Sequence, residues 1–273
     1  MALRHIVVVL DDSAQSEARL TTAIALARQH EAFLTGLCPL DTLRPVAVAA
    51  RTAGKPGTVN NLADIIDRVE ADFVDQLNRG GLRGGWKAVP DTASEAFVRH
   101  TRQTDLIVLG QVNPENPPPA GRHMLEDLLL NAGRPILAIP YAGRFETLGA
   151  RILVGWNGSR EAARALHDAL PFLAKAASVT VLDAFPASGD TPDGASISGI
   201  AHYLGHHGIE AKITRLPLDG VSPADALLSY TMDIDADLLV AGGYGHSRLR
   251  ELVFGGVTRG LLQHLTVPVL MSH

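Results

Sequence analysis

The residues best suited to chemistry lie near the end of the chain, where Gly242-Gly243-Tyr244-Gly245 is followed by nine residues and then Gly255-Gly256-Val257-Thr258. The first glycines come directly after the apolar run from Asp237 to Ala241. A buried strand that ends in glycines and resumes as a helix brings backbone amides close to a ligand without Cβ obstruction, which suits a phosphate. Competing chemistries lack their parts. The sequence has no Gly-x4-Gly-Lys-Ser/Thr loop, no Gly-x-Ser-x-Gly elbow and no His-Glu-x-x-His. These absences argue against a P-loop NTPase, an α/β-hydrolase and a zincin.

Elements that could position such a loop emerge from internal repetition. His5 to Ser13 reads His-Ile-Val-Val-Val-Leu-Asp-Asp-Ser and precedes a small-residue helical stretch, Ala14 to Gln29. Arg151 to Ser159 reads Arg-Ile-Leu-Val-Gly-Trp-Asn-Gly-Ser and precedes another, Arg160 to Ala174. The run from Thr104 to Gly110 matches Ala236 to Gly242, and Pro135-Ile-Leu-Ala-Ile139 matches Pro268-Val-Leu-Met271. A repeat of this length marks a duplicated unit, with a division between Arg144 and Gly149. Strands are expected near 4–10, 32–38, 84–89, 105–110 and 135–139, then near 151–156, 178–184, 209–216, 237–242 and 267–271. Helical patterns separate them, including Ala195 to His207, Pro223 to Met232 and Val257 to His264, while Pro171 should kink or end the helix that holds it. Strands alternating with helices give a parallel sheet covered on both faces. In such a sheet the ligand crevice opens between the first and fourth strands, so Asn157 and Gly242 belong to one site. Pro39 to Asn60 lacks a period and reads as an irregular connection.

Composition is compatible with this plan. The 273 residues are 46% hydrophobic with a formal net charge of -5, which supports a sizeable core and offers no general attraction to nucleic acid or an anionic membrane. The first ten residues are too short an apolar run for a signal peptide or a membrane span, so a soluble cytoplasmic protein is expected. Cys38, the single cysteine, lies in an apolar stretch and reads as an inert structural thiol.

With its paired first strands, the Asp-Leu-Ile-Val and Asp-Leu-Leu-Val fourth strands and the terminal Gly-x-x-Gly-x9-Gly-x-Val-Thr pattern, the chain resembles the universal stress protein family in its tandem form. The resemblance implies two Rossmann-like (adenine nucleotide alpha hydrolase-like) domains, each an open five-stranded parallel sheet with helices on both faces. They would span residues 1–145, with a degenerate loop, and 146–273, with the glycine loop largely retained. It also implies ATP or a related adenine nucleotide, with magnesium as its companion, in the second domain. Carried over residue by residue, Gly242, Gly245 and Gly255 match the pattern glycines, while Val257 and Thr258 open the following helix. Gly255, Gly256 and Val257 would then cradle phosphate through backbone groups. Gly256 stands where a serine or threonine hydroxyl is usual. Asn157, preceded by Trp156, stands where an aspartate is usual, so a carboxylate for a metal or for general base work is missing. Asp183 and Ala184 would line the base pocket, and His246 lies beside the ligand.

The first half departs from this pattern. Gly110 aligns with Gly242, but Asn113, Arg122 and His123 replace Gly245, Gly255 and Gly256, and prolines fill the intervening loop. Arg122 and His123 could hold an anion only by side chain, and Asp11 and Asp12 read as the cap of the following helix. In the second half, Arg248, Arg250 and Arg259 lie near the proposed phosphate site. His202, His206 and Glu210 have metal-ligand types, although a solvated helix end is the weightier reading. The expected function is nucleotide-binding regulation in a stress response, through the second domain and with an unidentified protein partner. The alternatives are a nucleotide-free interaction protein and a weak ATPase. The resemblance also implies that the two repeats pack against each other through their terminal strands, and exposed sheet edges favour homodimerisation of the whole chain.

Overall fold

In the computed structural model, residues 2–43, 62–92, 95–113, 115, 123–145, 147–186, 194–244 and 256–273 are described. The first half contributes strands β1 (His5–Val9), β2 (Phe33–Pro39), β3 (Gly84–Val89), β4 (Leu106–Gly110) and β5 (Ile136–Ile139). Its helices are α1 (Ala14–His30), α2 (Leu62–Arg79), α3 (Glu95–Arg102) and α4 (Met124–Asn131). The second half contributes β6 (Arg151–Trp156), β7 (Ser178–Pro186), β8 (Ala211–Leu218), β9 (Leu238–Gly242) and β10 (Val269–Ser272). Its helices are α5 (Arg160–Leu173), α6 (Gly194–His206), α7 (Pro223–Asp233) and α8 (Val257–Gln263). Two compact units result: Ala2–Ile136 with Tyr141–Glu146, and Leu137–Pro140 with Thr147–His273.

Within the first unit the parallel order is β3-β2-β1-β4, and within the second β8-β7-β6-β9-β10. In both, the first strand of the repeat lies beside the fourth, as the doubly wound reading requires. The central strands are apolar on both faces: Ile6 to Leu10, Leu106 to Leu109, Ile152 to Val154 and Leu238 to Ala241 are all buried. Parallel strands of this kind need helices on each side. Glycine contacts locate those helices in the second unit. A Cβ on Gly155 would meet Leu227 of α7, whereas one on Gly242 would meet Glu161 and Ala162 at the start of α5. Gly155 stands one residue out of register with Gly242, so α7 and α5 cover opposite faces.

The repeated aspartates have a structural task. Asp237 Oδ1 accepts from the backbone N–H of Gly149 and Arg151, and its Oδ2 from that of Ala150, at 2.9–3.2 Å. Asp105 accepts in the same way from Arg4 and His5, at 2.8 and 3.0 Å. Each carboxylate therefore secures the entry of the first strand to the entry of the fourth. Helix starts are fixed locally: Ser159 Oγ accepts from Ala162 N and Ser222 Oγ from Asp225 N. Helix α5 runs through Pro171 to Leu173, and Ala174 N still donates to Leu170 O at 3.0 Å, so the proline sits in the last turn without ending the helix where it stands. Of the segment read as irregular, residues 40–43 are helical, and 44–60 lie outside the described residues.

Candidate nucleotide crevice

The second unit brings several of the expected residues to the carboxyl ends of its strands. Trp156 ends β6 and stands in register with Asp183 on β7, which in turn stands in register with Arg215 on β8. In parallel strands such partners share a face. Asp183 is 5% exposed, and Arg215 donates from Nε to its Oδ2 at 3.2 Å while lying 4.8 Å over the Phe185 ring. Ala184 is half-buried. Extending the β6–β9 register past Val154 and Val240 sets Trp156 opposite Gly242, and Gly242 pairs with Ser272 on β10. Trp156, Gly242 and Ser272 therefore face the start of α5.

Among the described residues, three polar atoms on that face are buried without a partner: Trp156 Nε1, Ser272 Oγ and Glu161 Oε2. Each such group costs about 1–3 kcal/mol of desolvation that no hydrogen bond offsets. Glu161 is 2% exposed, and its other carboxylate oxygen accepts from Arg160 Nε. Burial pushes its pKa up, but hydrogen bonds from Arg160 and its own N–H, with the charges of Arg160 and His273, outweigh burial and hold it below the ordinary value. The crevice thus contains an anionic acceptor, an indole donor and a hydroxyl.

Other expected residues have local roles. Asn157 is exposed and accepts through Oδ1 from Ser159 N at 3.1 Å, forming a turn into α5 that leaves its NH2 end free of this bond. Gly256 caps α8, Val257 is 37% exposed and Thr258 is buried. Thr258 Oγ1 accepts from Tyr244 N at 2.9 Å, which ties the start of α8 to the end of β9. This bond gives the hydroxyl a clear structural purpose. Gly243 N donates to Ser272 O, and His273 Nδ1 is 3.0 Å from Gly243 O. Gly245, His246, Arg248, Arg250 and Gly255 lie outside the described residues, and Arg259 is exposed.

The same place in the first unit is built differently. Leu10 and Cys38 occupy the positions of Trp156 and Asp183, and Ala88 is in register with Cys38. A Cβ on Gly110 would lie 2.6 Å from Arg19 Nη1. Arg19, 7% exposed, pairs with Asp11 at 2.9 Å. Burial raises the Asp11 pKa, but the Arg19 charge and hydrogen bonds from Ser13 and Arg19 prevail and keep it low. The expectation that Asp11 and Asp12 cap α1 needs correction. Asp11 Oδ1 does accept from Ser13 N, but its other oxygen takes Arg19, and Asp12 pairs with Arg68 of α2. The N-cap residue is Ser13, whose side chain makes no capping bond. Cys38 is buried, and burial with the nearby charges of Asp11, Asp12 and Asp41 pushes its thiol up to about 12, as an inert thiol requires. His123 pairs with Glu126, and Arg122 lies outside the described residues.

The histidines of α6 and the following turn are exposed. His207 packs edge-on against Tyr203, whose hydroxyl is 3.2 Å from His167 Nδ1. Among the described residues no group of three or more His, Cys, Asp or Glu could hold a metal ion, and no helix is long and apolar enough to cross a membrane.

Sequence reasoning missed Glu161, Arg215 and Ser272. Glu161 reads as an ordinary acid in the first turn of a helix. A partial signal for Arg215 existed in the alternation along β8, but pairing it with Asp183 requires the strand register.

The fold defines a protein of two Rossmann-like α/β units, each with its first strand beside its fourth, where strand order reverses. Residues 150–273 match the universal stress protein family. The second half of the chain is thus similar to that family. A universal stress protein of Synechocystis sp. is 27% identical over 175 residues, a match that covers 61% of this chain and 57% of that protein. The chain thus spans little more than half the length of this relative. A universal stress protein structure from Archaeoglobus fulgidus superimposes with a TM-score of 0.73 at 16% identity, covering 98% of this chain and 95% of that one. A putative universal stress protein from Pseudomonas aeruginosa gives 0.61 at 19% identity, covering 99% and 93%. At these identities the two structures bear on the fold alone.

Proposed function

We propose that this chain is a nucleotide-binding regulatory module of the stress response, with ATP or a related adenine nucleotide held in the crevice of the second unit. The observation that carries this reading is the set of buried polar atoms without partners among the described residues, Trp156 Nε1, Ser272 Oγ and Glu161 Oε2, at the carboxyl ends of β6 and β10 and the start of α5. A ligand that completes their hydrogen bonds would remove a standing cost. The glycine pattern from Gly242 to Val257 supplies the backbone for phosphate, while Asp183 and Ala184 stand at the base end. Magnesium bound with the phosphates would find Glu161 as the acidic group of the crevice. Asn157 carries no carboxylate, which favours binding over turnover. Occupancy would then shift the conformation or the partner affinity of the chain by population.

One observation favours the nucleotide-free interaction protein instead: Thr258 already closes the loop by bonding Tyr244 N. Two measurements decide between the readings. Mass spectrometry of small molecules released by heating the purified protein should find an adenine nucleotide, and millimolar ATP with magnesium should raise Tm. Ser272→Ala should reduce that rise. Absence of both released nucleotide and a Tm shift would exclude the proposal, and magnesium-dependent phosphate release would move the reading towards a weak ATPase.

A further inference from the structure

A cavity lies in the first unit, beside the carboxyl ends of β1 and β5. It has a volume of about 270 Å³, opens to solvent and is lined by the first two turns of α1 and the segment from Tyr141 to Phe145. The segment is secured at both ends: Tyr141 N donates to Gln111 Oε1 at 3.2 Å, and Thr22 Oγ1 donates to Phe145 O at 3.0 Å. Between these anchors Gly143 adopts φ 102°, and a Cβ there would lie 3.0 Å from the Phe145 ring. Only glycine accommodates this path without strain. On the helix side Ala14 and Ala18, one turn apart, leave room that larger residues would fill.

The lining has a definite chemical character. Tyr141 and Phe145 supply two rings, Thr21 a hydroxyl, Glu17 a carboxylate and Arg144 a guanidinium. Neither Glu17 nor Arg144 forms an ion pair, with each other or with any other described residue. These two exposed opposite charges, without an ion-pair partner among the described residues, line one cavity beside two rings and suit a ligand that carries both complementary charges and an apolar body.

We infer that this cavity binds a small zwitterion of the α-amino-acid class. Its ammonium group meets Glu17, its carboxylate meets Arg144, and its side chain lies along Tyr141 and Phe145. The site is independent of the nucleotide crevice and of any ligand bound there. L-phenylalanine is the probe, with phenylacetate and phenethylamine as the two single-charge controls, followed by saturation-transfer NMR and calorimetry on the full chain. The zwitterion should bind at least tenfold more tightly than either control. Arg144→Gln, a change at an exposed side chain, and Ala18→Leu, which fills the helix side of the cavity, should each weaken it tenfold or more. A wild-type thermal melt for either variant shows that the loss is local, and Arg144→Gln stands alone if Ala18→Leu fails to fold. No binding of L-phenylalanine at millimolar concentration overturns the inference, as does equal binding of the controls or wild-type affinity in Arg144→Gln.

Discussion

The two units share strand order, strand-entry aspartates and glycines at the ends of their fourth strands, yet the carboxyl ends of their sheets carry different side chains. Across three strands the first unit places Leu10, Cys38 and Ala88 where the second places Trp156, Asp183 and Arg215. Behind its fourth strand the first unit puts the side chain of Arg19, and the second puts the backbone of Glu161 and Ala162. In the first unit the cation is already matched by Asp11. In the second, a carboxylate oxygen, an indole N–H and a hydroxyl have no match among the described residues. One scaffold has thus matched its buried cation with a carboxylate at one crevice, with only Arg19 Nε left over, and at the other has left an acceptor, a donor and a hydroxyl open among the described residues. The lesson is that the shared fold does not decide which crevice takes a ligand.

The strongest challenge to this comparison is to substitute its two equivalent glycines. Gly242→Ala would press a methyl to within 2.6 Å of Ala162 N and of the Glu161 carbonyl carbon, both backbone atoms that cannot turn aside. A loss of about 3 kcal/mol in denaturant unfolding is expected. Gly110→Ala meets the end of the Arg19 side chain and should cost about 1 kcal/mol; equal losses would refute the distinction between a backbone wall and a side-chain wall. Arg19→Met should destabilise by about 2 kcal/mol, because it leaves Asp11 poorly compensated, while leaving any nucleotide-induced Tm shift intact. Loss of that shift would place the ligand in the wrong unit.

Smaller effects sharpen the contrast. Ser272→Ala removes a buried hydroxyl without a partner, so it should stabilise the ligand-free protein by up to about 1 kcal/mol while weakening nucleotide binding. Destabilisation by this change would show that the hydroxyl is satisfied in solution. Asp11 and Glu161 both titrate below their ordinary values in the folded chain. The unfolded chain therefore binds more protons as these groups titrate, and their contribution, complete above the unfolded pKa values of about 4, is lost as pH falls through the folded ones. Asp11→Asn and Glu161→Gln should each flatten the acid limb of a stability–pH curve. Cys38 should resist a disulfide reagent at neutral pH until the chain unfolds, since burial and three nearby carboxylates oppose thiolate formation.

Much of the fold was legible because it rests on local signals. Buried strands such as Ile6 to Val9 and Leu238 to Ala241 read as apolar runs, and the repeat showed which strands corresponded. The crevice was less legible because its distinctive members depend on register and burial. Trp156 and Asp183 are separated in sequence and meet only through β6–β7 pairing, and Glu161 is unusual only because Gly242 packs against it. Thr258 could be placed at a helix start, but its bond to Tyr244 N depends on a close approach that spacing does not reveal. Asp12 was misread because its partner, Arg68, belongs to a helix distant in sequence.

The strand-entry aspartates carry a consequence for how the duplication can diverge. Asp105 and Asp237 each need the first amides of a strand that lies far back in the sequence, at a loop-closure cost that grows only slowly with length. Each carboxylate acts as a check that couples the seating of the fourth strand to that of the first. Since this check operates at the amino ends of the strands and ligands approach the carboxyl ends, one copy can discard its cargo and still fold like its twin.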